Sequence, residues 1–485
     1  MNKSILNPDE LFEFINQKLT PNVKNKKERG EVFTPIELVK EMLDKLPKEV
    51  WANPDLKWLD PAIGIGNFAI IAYLNLMDGL KEWQPNEEKR RKHILENMLY
   101  MVEINNNNII ILNELLCGNK YKLNIFEGSF VDGKEYEQVY KPTIKFDIIM
   151  GNPPYNKGGV GRGGGVFWKK FVEESLKMLN KDGYLCYIHP LGWRKPIGKR
   201  ASAGDLWEHF RKNGYIKYLH ISDEKIPYFP KVDYYIYHNS KKIQKTLIYN
   251  KFKNNKTEDK YEINHLGFIP NLINTTSSSI LNKIFAKNED NKFNIIYNQS
   301  FKPNKNDLDN VGIPHSFYYN LDTHGYIKVA RTMTTIPEYY DKPKIIMTYN
   351  GGKKPANLYA KFYNNTMGTT NNTMYQLCSQ QEGNIFEAFL NSKLINFVLN
   401  ITQYSQPPNY KNEFKILNLI KKPDGLPNNP TDQDIYNYYG ITKEEQEFIN
   451  KVDYYIYHKT EDKYEINHLG FIPNLINTTS SSILN

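Results

Sequence analysis

The sequence predicts an α/β protein whose first half is built on a mainly parallel sheet. From Gly30 to about His238, short apolar runs alternate with segments of helical periodicity, as in repeated βαβ units. A glycine-containing turn at residues 61–66 joins one predicted strand to an apolar helix, and another predicted strand ends in the rigid turn Asn152-Pro-Pro-Tyr155. Both turns follow the carboxyl ends of strands, where open α/β sheets bind their ligands.

The periodicity divides the 485-residue chain into four parts. A basic N-terminal arm comes first and the predicted sheet domain follows it. After residue 238 the periodicity weakens, and Lys, Asn, Tyr, Pro and turn signals dominate, which predicts a second, less regular domain. The last part is a copied tail. The expected boundaries are 1–29 for the arm, 30–238 for the sheet domain, 239–450 for the second domain and 451–485 for the tail.

The tail repeats earlier sequence letter for letter. Residues 451–458 copy 231–238, and residues 459–485 copy 256–282. One partial copy does not make a solenoid, which needs about three repeats, so we interpret it as a late gene duplication or an assembly error. Because the parent strand Val232–Tyr237 should already fill its place in a complete sheet, we expect the copy not to fold like its parent and its removal to leave stability unchanged.

Composition and charge exclude several classes of protein. Lys plus Arg is 63 and Asp plus Glu is 54, a net charge of +9 that suits a polyanion. The longest apolar run, Phe68–Leu74, is far shorter than the ~20 residues that span a bilayer, and Met1–Glu10 has no secretory core, so we expect an intracellular protein with no membrane partner. The three cysteines form no CxxC pair, so neither a metal site nor a disulfide framework is expected; they are Cys117, Cys186 and Cys378.

The first predicted helix of the sheet domain follows Gly30-Glu-Val-Phe33. Thr34 and Glu37 have the spacing of a capping box, and Pro35 would occupy the first helical position. A capped helix explains these residues by itself; the functional interpretation is that Phe33 and Thr34 also contact a cofactor. The apolar face of the helix would carry Ile36, Val39, Leu43 and Leu46.

The first predicted strand, Trp58–Asp60, leads into the glycine turn. Glycines there let a ligand approach the backbone closely, but Ala69 stands where a dinucleotide motif has its last glycine. Asp60 would repel a pyrophosphate and would suit a cationic amino-acid ligand. Both points favour S-adenosylmethionine over NAD. The candidate cofactor residues of this turn are Asp60, Pro61, Ala62, Gly64, Gly66 and Phe68.

Two further strands are predicted before the Asn-Pro-Pro-Tyr turn. Leu99–Val102 ends at Glu103, whose carboxylate can accept both hydroxyls of a ribose. Glu103 lies well beyond the usual ~20 residues after the first strand, so an inserted helix at about Glu87–Asn97 should fill the gap. The third strand candidate is Lys122–Phe126.

The strand Phe146–Met150 places Asn152 at its carboxyl end. The Asn152 side chain and a rigid neighbouring carbonyl form two acceptors for both protons of an exocyclic amine, which would leave the nitrogen lone pair free to attack a methyl group. Tyr155 offers a flat face on which a flipped base could stack. The alternative, a plain proline turn, is less favoured because the full Asn-Pro-Pro-Tyr pattern follows a strand.

A literal GxGxxG pattern at Gly159, Gly161 and Gly164 does not open a helix, so we interpret it as a decoy. The stretch Asn156–Gly165 fits either a mobile loop beside the site, with Arg162 reaching a phosphate, or a plain linker.

Together these motifs resemble the amino-methylating DNA methyltransferases, specifically the adenine-N6 class with gamma motif order, which includes type I modification subunits and type II and IIG-like modification methylases. The resemblance covers roughly residues 30–238. Its motifs are Gly30–Pro35 for the N-terminal cofactor motif, Asp60–Phe68 for the donor motif, Asn152–Tyr155 for catalysis, Phe167–Leu179 and Asp182–Pro190 for the following helix and strand, and Ile226–Val232 for the motif whose aromatic closes over the base.

The resemblance implies a seven-stranded, mostly parallel Rossmann-like methyltransferase sheet, with a C-terminal target-recognition domain after it. S-adenosylmethionine would lie at the strand ends, and a flipped adenine would stack between Tyr155 and Phe229. The family often has Asp before Phe in its third motif; here Ser129 precedes Phe130, so Ser129, a backbone group or Asp132 would contact the cofactor. The implied catalytic residues are Asn152, Pro153, Pro154 and Tyr155.

Two alternatives remain beside a DNA adenine methyltransferase. The Asn-Pro-Pro-Tyr motif also serves in enzymes that methylate RNA or a protein glutamine, and a non-catalytic DNA-binding relative would keep the fold. The basic second domain favours double-stranded DNA as the partner. A separate restriction endonuclease is compatible with the sequence, which does not reveal the oligomeric state.

Overall fold

A nine-stranded sheet forms the centre of the first half of the chain. The computed structural model divides the chain into two compact units, Met1–Leu272 and Ile273–Asn485. The N-terminal arm 1–29 lies outside the described residues. These are 34–116, 119–133, 137–156, 166–197, 203–224, 231–252, 255–287, 291–297, 315–321, 327–332, 336–352, 358–405 and 410–459.

The strands of the first unit confirm the predicted α/β class. They are β1 (Trp58–Asp60), β2 (Leu99–Glu103), β3 (Asn124–Glu127), β4 (Phe146–Gly151), β5 (Leu179–Pro190), β6 (Tyr215–Ser222), β7 (Val232–His238), β8 (Thr246–Phe252) and β9 (Asn255–Tyr261). Their order in the sheet is β3-β2-β1-β4-β5-β7-β6-β8-β9. The strands β1 to β5 pair in parallel, and β7 lies antiparallel between β5 and β6.

Helices pack around this sheet and connect its parallel strands. The inserted helix expected before β2 is present and continues as a π-helical turn, Ile94–Met98. The apolar face predicted for the first helix is confirmed for Ile36, Val39 and Leu43, which are buried in the main core, whereas Leu46 is buried in the same core but follows the end of the helix. The helices are α1 (Ile36–Leu43), α2 (Asn67–Gly79), α3 (Glu87–His93), α4 (Asn106–Leu115), α5 (Phe167–Met178) and α6 (Gly204–Asn213), with 3-10 turns at Lys48–Trp51 and Leu191–Arg194.

The sheet is larger than the seven strands expected, and the first unit extends beyond residue 238. β8 pairs in parallel with β6, and β9 returns as an antiparallel edge strand. Alternate residues of β8 are buried, which extends the sheet core beyond β6. A buried ion pair links the last residues of the unit to the sheet. Arg194 donates to Asp233 of β7 at 2.6 and 3.1 Å and to Asn271, next to the end of the unit, at 2.9 Å.

The second unit is less regular, as the sequence predicted, and combines short sheets with helices. Its strands are β10 (His315–Leu321), β11 (Ile327–Thr332), β12 (Lys344–Thr348), β13 (Asn350–Gly352), β14 (Lys361–Tyr363), β15 (Gly368–Thr369), β16 (Thr373–Leu377) and β17 (Tyr410–Lys411). Its helices are α7 (Thr275–Ile284), α8 (Gln380–Leu390), α9 (Lys393–Ile401), α10 (Phe414–Leu417), α11 (Asp432–Tyr439) and α12 (Lys443–Lys459).

The beginning of the copied tail is helical. Residues 451–458 lie inside α12, whereas the identical residues 231–238 contain β7. Val452 is fully buried, so cutting the chain after residue 450 would remove a core contact. The expectation that the copy does not fold like its parent is thus confirmed for residues 451–458. The buried Val452 now predicts that removing this helical part lowers stability, contrary to the expectation from the sequence, and residues 460–485 lie outside the described region.

Candidate active site

The site lies where β1, β2 and β4 end side by side. β1 pairs in parallel with β2 on one side and with β4 on the other, so their carboxyl ends meet at one edge of the sheet. Asp60 ends β1, Glu103 ends β2 and Gly151 ends β4. The three motifs predicted from separate parts of the sequence are thus brought together by strand order.

Asp60 is a buried carboxyl group, 1% exposed, at the centre of this edge. Its Oδ1 accepts a hydrogen bond from the Ala62 backbone N–H at 3.1 Å, which closes the turn after β1. Burial raises the pKa of Asp60 to about 8; the Ala62 N–H opposes the rise and the neighbouring Glu103 charge adds to it. The carboxyl group is therefore largely protonated at neutral pH in this state.

The glycine turn has the backbone that its sequence predicted. Gly64 and Gly66 have φ of 57° and 100°, a region that disfavours residues with a Cβ. The Gly64 N–H donates to Oε2 of Glu103 at 2.7 Å, and the Asn105 N–H donates to Oε1 at 2.7 Å. A carboxylate can accept about four hydrogen bonds, and two of these come from the backbone here. The Glu103 side chain is thereby held against the turn.

Gly151 is a site residue that the sequence analysis did not single out. Its φ is 152°, and a Cβ there would lie 3.0 Å from Oδ1 of Asp60. Any other residue would strain the backbone and press on the Asp60 carboxyl, which would shift the next residue, Asn152. The available signal was a glycine between a strand and Asn-Pro-Pro, where a change of chain direction requires a permissive residue.

Asn152 is half-buried and its side-chain amide is oriented by Thr34. Nδ2 of Asn152 donates to Oγ1 of Thr34 at 3.1 Å. The predicted capping box is wrong, because α1 begins at Ile36 with no side-chain cap hydrogen bond, and the Thr34 hydroxyl serves Asn152 instead. Sequence spacing could not reveal this use, because Thr34 and Asn152 are 118 residues apart.

The rest of the catalytic motif packs against the sheet. Pro153 is buried and Pro154 half-buried. Tyr155 packs on the main hydrophobic core with its hydroxyl oxygen buried, and burial raises the pKa of that hydroxyl well above its usual value. The phenol therefore stays protonated, and a role of its ring in stacking on a base stays a prediction.

The third motif is built differently from the family pattern. The Ser129 hydroxyl donates to the Val131 carbonyl at 2.8 Å within its own turn. Phe130 is buried and stacks on Phe171 of α5, with ring centroids 5.5 Å apart. Asp132 is exposed and pairs with Lys141 at 3.8 Å. A cofactor contact by Ser129, Phe130 or Asp132 stays a prediction.

The remaining predicted residues divide into two groups. Pro61 and Phe68 are buried and Ala62 is half-buried, all three beside the glycine turn. Phe33, Arg162 and Phe229 lie outside the described residues, as do the three glycines of the decoy pattern.

Within the described ranges, no group of three or more His, Cys, Asp or Glu side chains is placed to hold a metal ion. Nor is any helix of that part of the chain both long and apolar enough to cross a membrane.

Comparisons with known proteins agree with this geometry. The Eco57I restriction-modification methylase family matches residues 68–229. An uncharacterized adenine-specific methylase of Mycoplasma pneumoniae is 27% identical over 344 residues, with 55% of this chain and 79% of that protein covered. The type IIL restriction-modification enzyme MmeI in complex with DNA has a TM-score of 0.51 at 12% identity, over 93% of this chain and 81% of that chain.

A further match is the M protein of the type I restriction enzyme EcoKI, with a TM-score of 0.34 at 14% identity over 45% of this chain. The chain spans 47% of the length of that subunit. Residues 68–229 are thus similar to the Eco57I restriction-modification methylases, and the α/β fold is one shared with MmeI.

Proposed function

We propose that this restriction-modification methylase transfers a methyl group from S-adenosylmethionine to N6 of adenine in double-stranded DNA. The observation that carries the proposal is Asn152, which stands at the end of β4 with its amide oriented by Thr34 and its neighbour Gly151 against Asp60. The end of the catalytic strand therefore leaves no room for a side chain between itself and Asp60, the residue that precedes the glycine turn.

The residues at the strand ends suit this methyl donor. Asp60 and Glu103 are two acidic groups on adjacent strands, and they match the cationic amino group and the ribose diol of S-adenosylmethionine. A cationic amino group bound beside Asp60 would lower the pKa of its carboxyl and favour the ionised form, whereas an anionic pyrophosphate would not. When bound, the donor supplies a sulfonium-activated methyl group; Asp60, Gly64 and Glu103 would hold it.

Asn152 would act on the acceptor amine without a charged base. Its amide oxygen and the Pro153 carbonyl are hydrogen-bond acceptors only, so they bind an –NH2 group through both protons and keep its lone pair available. Pre-aligned acceptors cost no reorganisation during the transfer, which is the main source of acceleration expected here. One amino proton leaves to water after the nitrogen has gained the methyl group.

The base would reach Asn152 by leaving the duplex. Unstacking an adenine costs a few kcal/mol, and stacking on the Tyr155 ring would offset part of that cost. We assign Phe229 to the opposite face of the base and Arg162 to a nearby phosphate.

The second unit would supply target recognition. It follows the catalytic unit in the chain, and the whole chain carries a net charge of +9. Positive charge favours a phosphate backbone over a neutral substrate. We place the enzyme in the compartment that holds the DNA, where a separate restriction endonuclease would be its functional partner.

The test compares the wild type with Asn152→Ala in a tritiated-methyl assay on duplex DNA, with nucleoside analysis of the product. We expect N6-methyladenine from the wild type, nearly none from the variant, and unchanged S-adenosylmethionine binding by both. Asn113→Ala, on the exposed face of α4, is the matched control and should be fully active. Equal turnover by wild type and Asn152→Ala would overturn the assignment of Asn152.

The same assay separates the alternative substrates. Label in RNA or in a protein glutamine, with none in DNA, would replace the DNA proposal while keeping Asn152 in its role. A wild type that binds S-adenosylmethionine and DNA but transfers no methyl group would indicate a non-catalytic relative. Long-read modification mapping of DNA from an expressing host would give the base and its sequence context.

A further inference from the structure

The side-chain amide of Asn152 has two ends with opposite hydrogen-bonding chemistry. Its oxygen accepts and its –NH2 group donates. Only one of the two orientations is useful for an amine acceptor, because the other would set two –NH2 groups against each other. The protein must therefore fix the orientation of the amide before the base arrives.

Thr34 occupies the position that decides this orientation. It is 3% exposed, and its Oγ1 accepts from Nδ2 of Asn152 at 3.1 Å. With Nδ2 turned towards Thr34, Oδ1 points away from Thr34 on the other side of the Cβ–Cγ bond. The opposite orientation would keep a hydrogen bond only by making the Thr34 hydroxyl the donor to Oδ1, and it would turn the –NH2 group of Asn152 towards the acceptor amine.

Thr34 is itself tied to the glycine turn. Its backbone carbonyl accepts from Nδ2 of Asn67 at 2.6 Å. Asn67 is the first residue of α2, directly after Gly66, and is 5% exposed. One short segment before α1 thus joins the start of α2, where the methyl donor is proposed to bind, to the residue that would hold the acceptor amine.

We propose that Thr34 is a positioning residue, which fixes the Asn152 amide with its oxygen towards the acceptor amine and keeps it in register with the glycine turn. This role rests on the proposed methyl transfer and differs from the cofactor contact that the sequence suggested for Thr34. It predicts an effect on the chemical step, with little effect on donor binding.

The decisive variants are Thr34→Val and Thr34→Ser. Valine keeps the shape of the side chain and removes the hydroxyl, whereas serine keeps the hydroxyl and removes the methyl group. Removing one partner of a hydrogen bond and leaving the other unsatisfied corresponds to about 5-fold to 100-fold in rate. We expect Thr34→Val to lower kcat by that factor, Thr34→Ser to restore it to within about 3-fold, and both to bind S-adenosylmethionine like the wild type.

The matched control is Thr257→Val on the edge strand β9, which should leave kcat unchanged. An unchanged kcat in Thr34→Val would overturn the proposal. So would a loss of S-adenosylmethionine affinity that accounts for the whole defect, since Thr34 would then act on the donor. A Thr34→Ser variant as impaired as Thr34→Val would assign the effect to methyl packing and would also overturn it.

Failure of the proposed function would look different, because it appears in the wild type. If the wild type methylates RNA or a protein instead of DNA, only the DNA assignment fails, and the Thr34 comparison is made on that substrate. If it methylates no amine at all, both proposals are overturned.

Discussion

Replacing Asp60 with Asn should change how the stability of the first unit depends on pH. The buried Asp60 carboxyl has a pKa of about 8 in the folded protein, against 3.8 for an ordinary Asp. Below pH 3.8 the group is protonated in both the folded and the unfolded chain and has no effect on their balance. As the pH rises, the unfolded chain loses the proton first, so the folded state is progressively disfavoured until the pH passes the folded pKa.

The size of the effect follows from the difference between the two pKa values. Each pH unit in the window from 3.8 to about 8 lowers the free energy of unfolding by about 1.4 kcal/mol. At pH 7 the accumulated loss is roughly 4 kcal/mol, which is large beside a typical total of about 5–15 kcal/mol. Asn has no proton to lose, and its Oδ1 can still accept from the Ala62 N–H.

Urea unfolding at pH 5 and pH 8, followed by tryptophan fluorescence, measures this difference. All six tryptophans lie between Trp51 and Trp207, so the signal reports the first unit alone. We expect Asp60→Asn to resemble the wild type most closely at pH 5 and to be several kcal/mol more stable at pH 8.

Asp78→Asn is the control, because Asp78 lies on α2 with its side chain 77% exposed. It should follow the wild type at both pH values. Parallel pH profiles for the wild type and Asp60→Asn would refute the reasoning, since they would mean that Asp60 titrates alike in the folded and unfolded chains.

Three further predictions concern the catalytic strand and the tail. Tyr155→Phe should keep most of the methylation rate and Tyr155→Ala should lose most of it, because stacking needs the ring; a Phe variant as inactive as the Ala variant would give the hydroxyl a role. Gly151→Ala should lower the free energy of unfolding by about 1–3 kcal/mol through backbone strain and should reduce turnover, as urea unfolding and the methyl assay would show; a fully active and stable variant would contradict the positive φ. Deleting residues 460–485 should leave the melting temperature unchanged, whereas deleting 451–485 should lower it by several degrees because Val452 is lost from the core; equal melting temperatures would show that the helical part is dispensable too.

Much of the candidate site could be predicted from local sequence. The glycine turn and the Asn-Pro-Pro-Tyr turn each depend on residue types that restrict or free the backbone, so their conformations are encoded within a few positions. The same holds for the strands that precede them, because a short apolar run bounded by turn residues has few other uses. Asp60 and Asn152 therefore lie at strand ends, as expected.

The contacts between these turns depend on strand order, which local sequence does not encode. Gly151 is a site residue because β4 pairs with β1, which leaves no room for a Cβ between Gly151 and the Asp60 carboxyl. The sequence predicted Thr34 as a helix cap, whereas in the structure its hydroxyl accepts a hydrogen bond from Asn152. The sequence analysis placed β8 and β9 in the second domain, because lysines surround the alternating apolar residues of β8 and because β9 has no buried residue to mark it as part of the sheet.

The copied octapeptide shows most directly what local sequence leaves open. Its letters, KVDYYIYH, favour a strand, and in β7 they pair with β5 on one side and β6 on the other while Asp233 meets Arg194. At residues 451–458 the same letters continue α12, whose first turn is closed by reciprocal hydrogen bonds between Thr442 and Glu445. A strand needs partner strands that only the folded sheet provides, whereas a helix already begun adds residues at little cost. Composition and motifs determined the α/β class and the chemistry of the turns; tertiary structure decided which copy of one sequence became strand and which became helix.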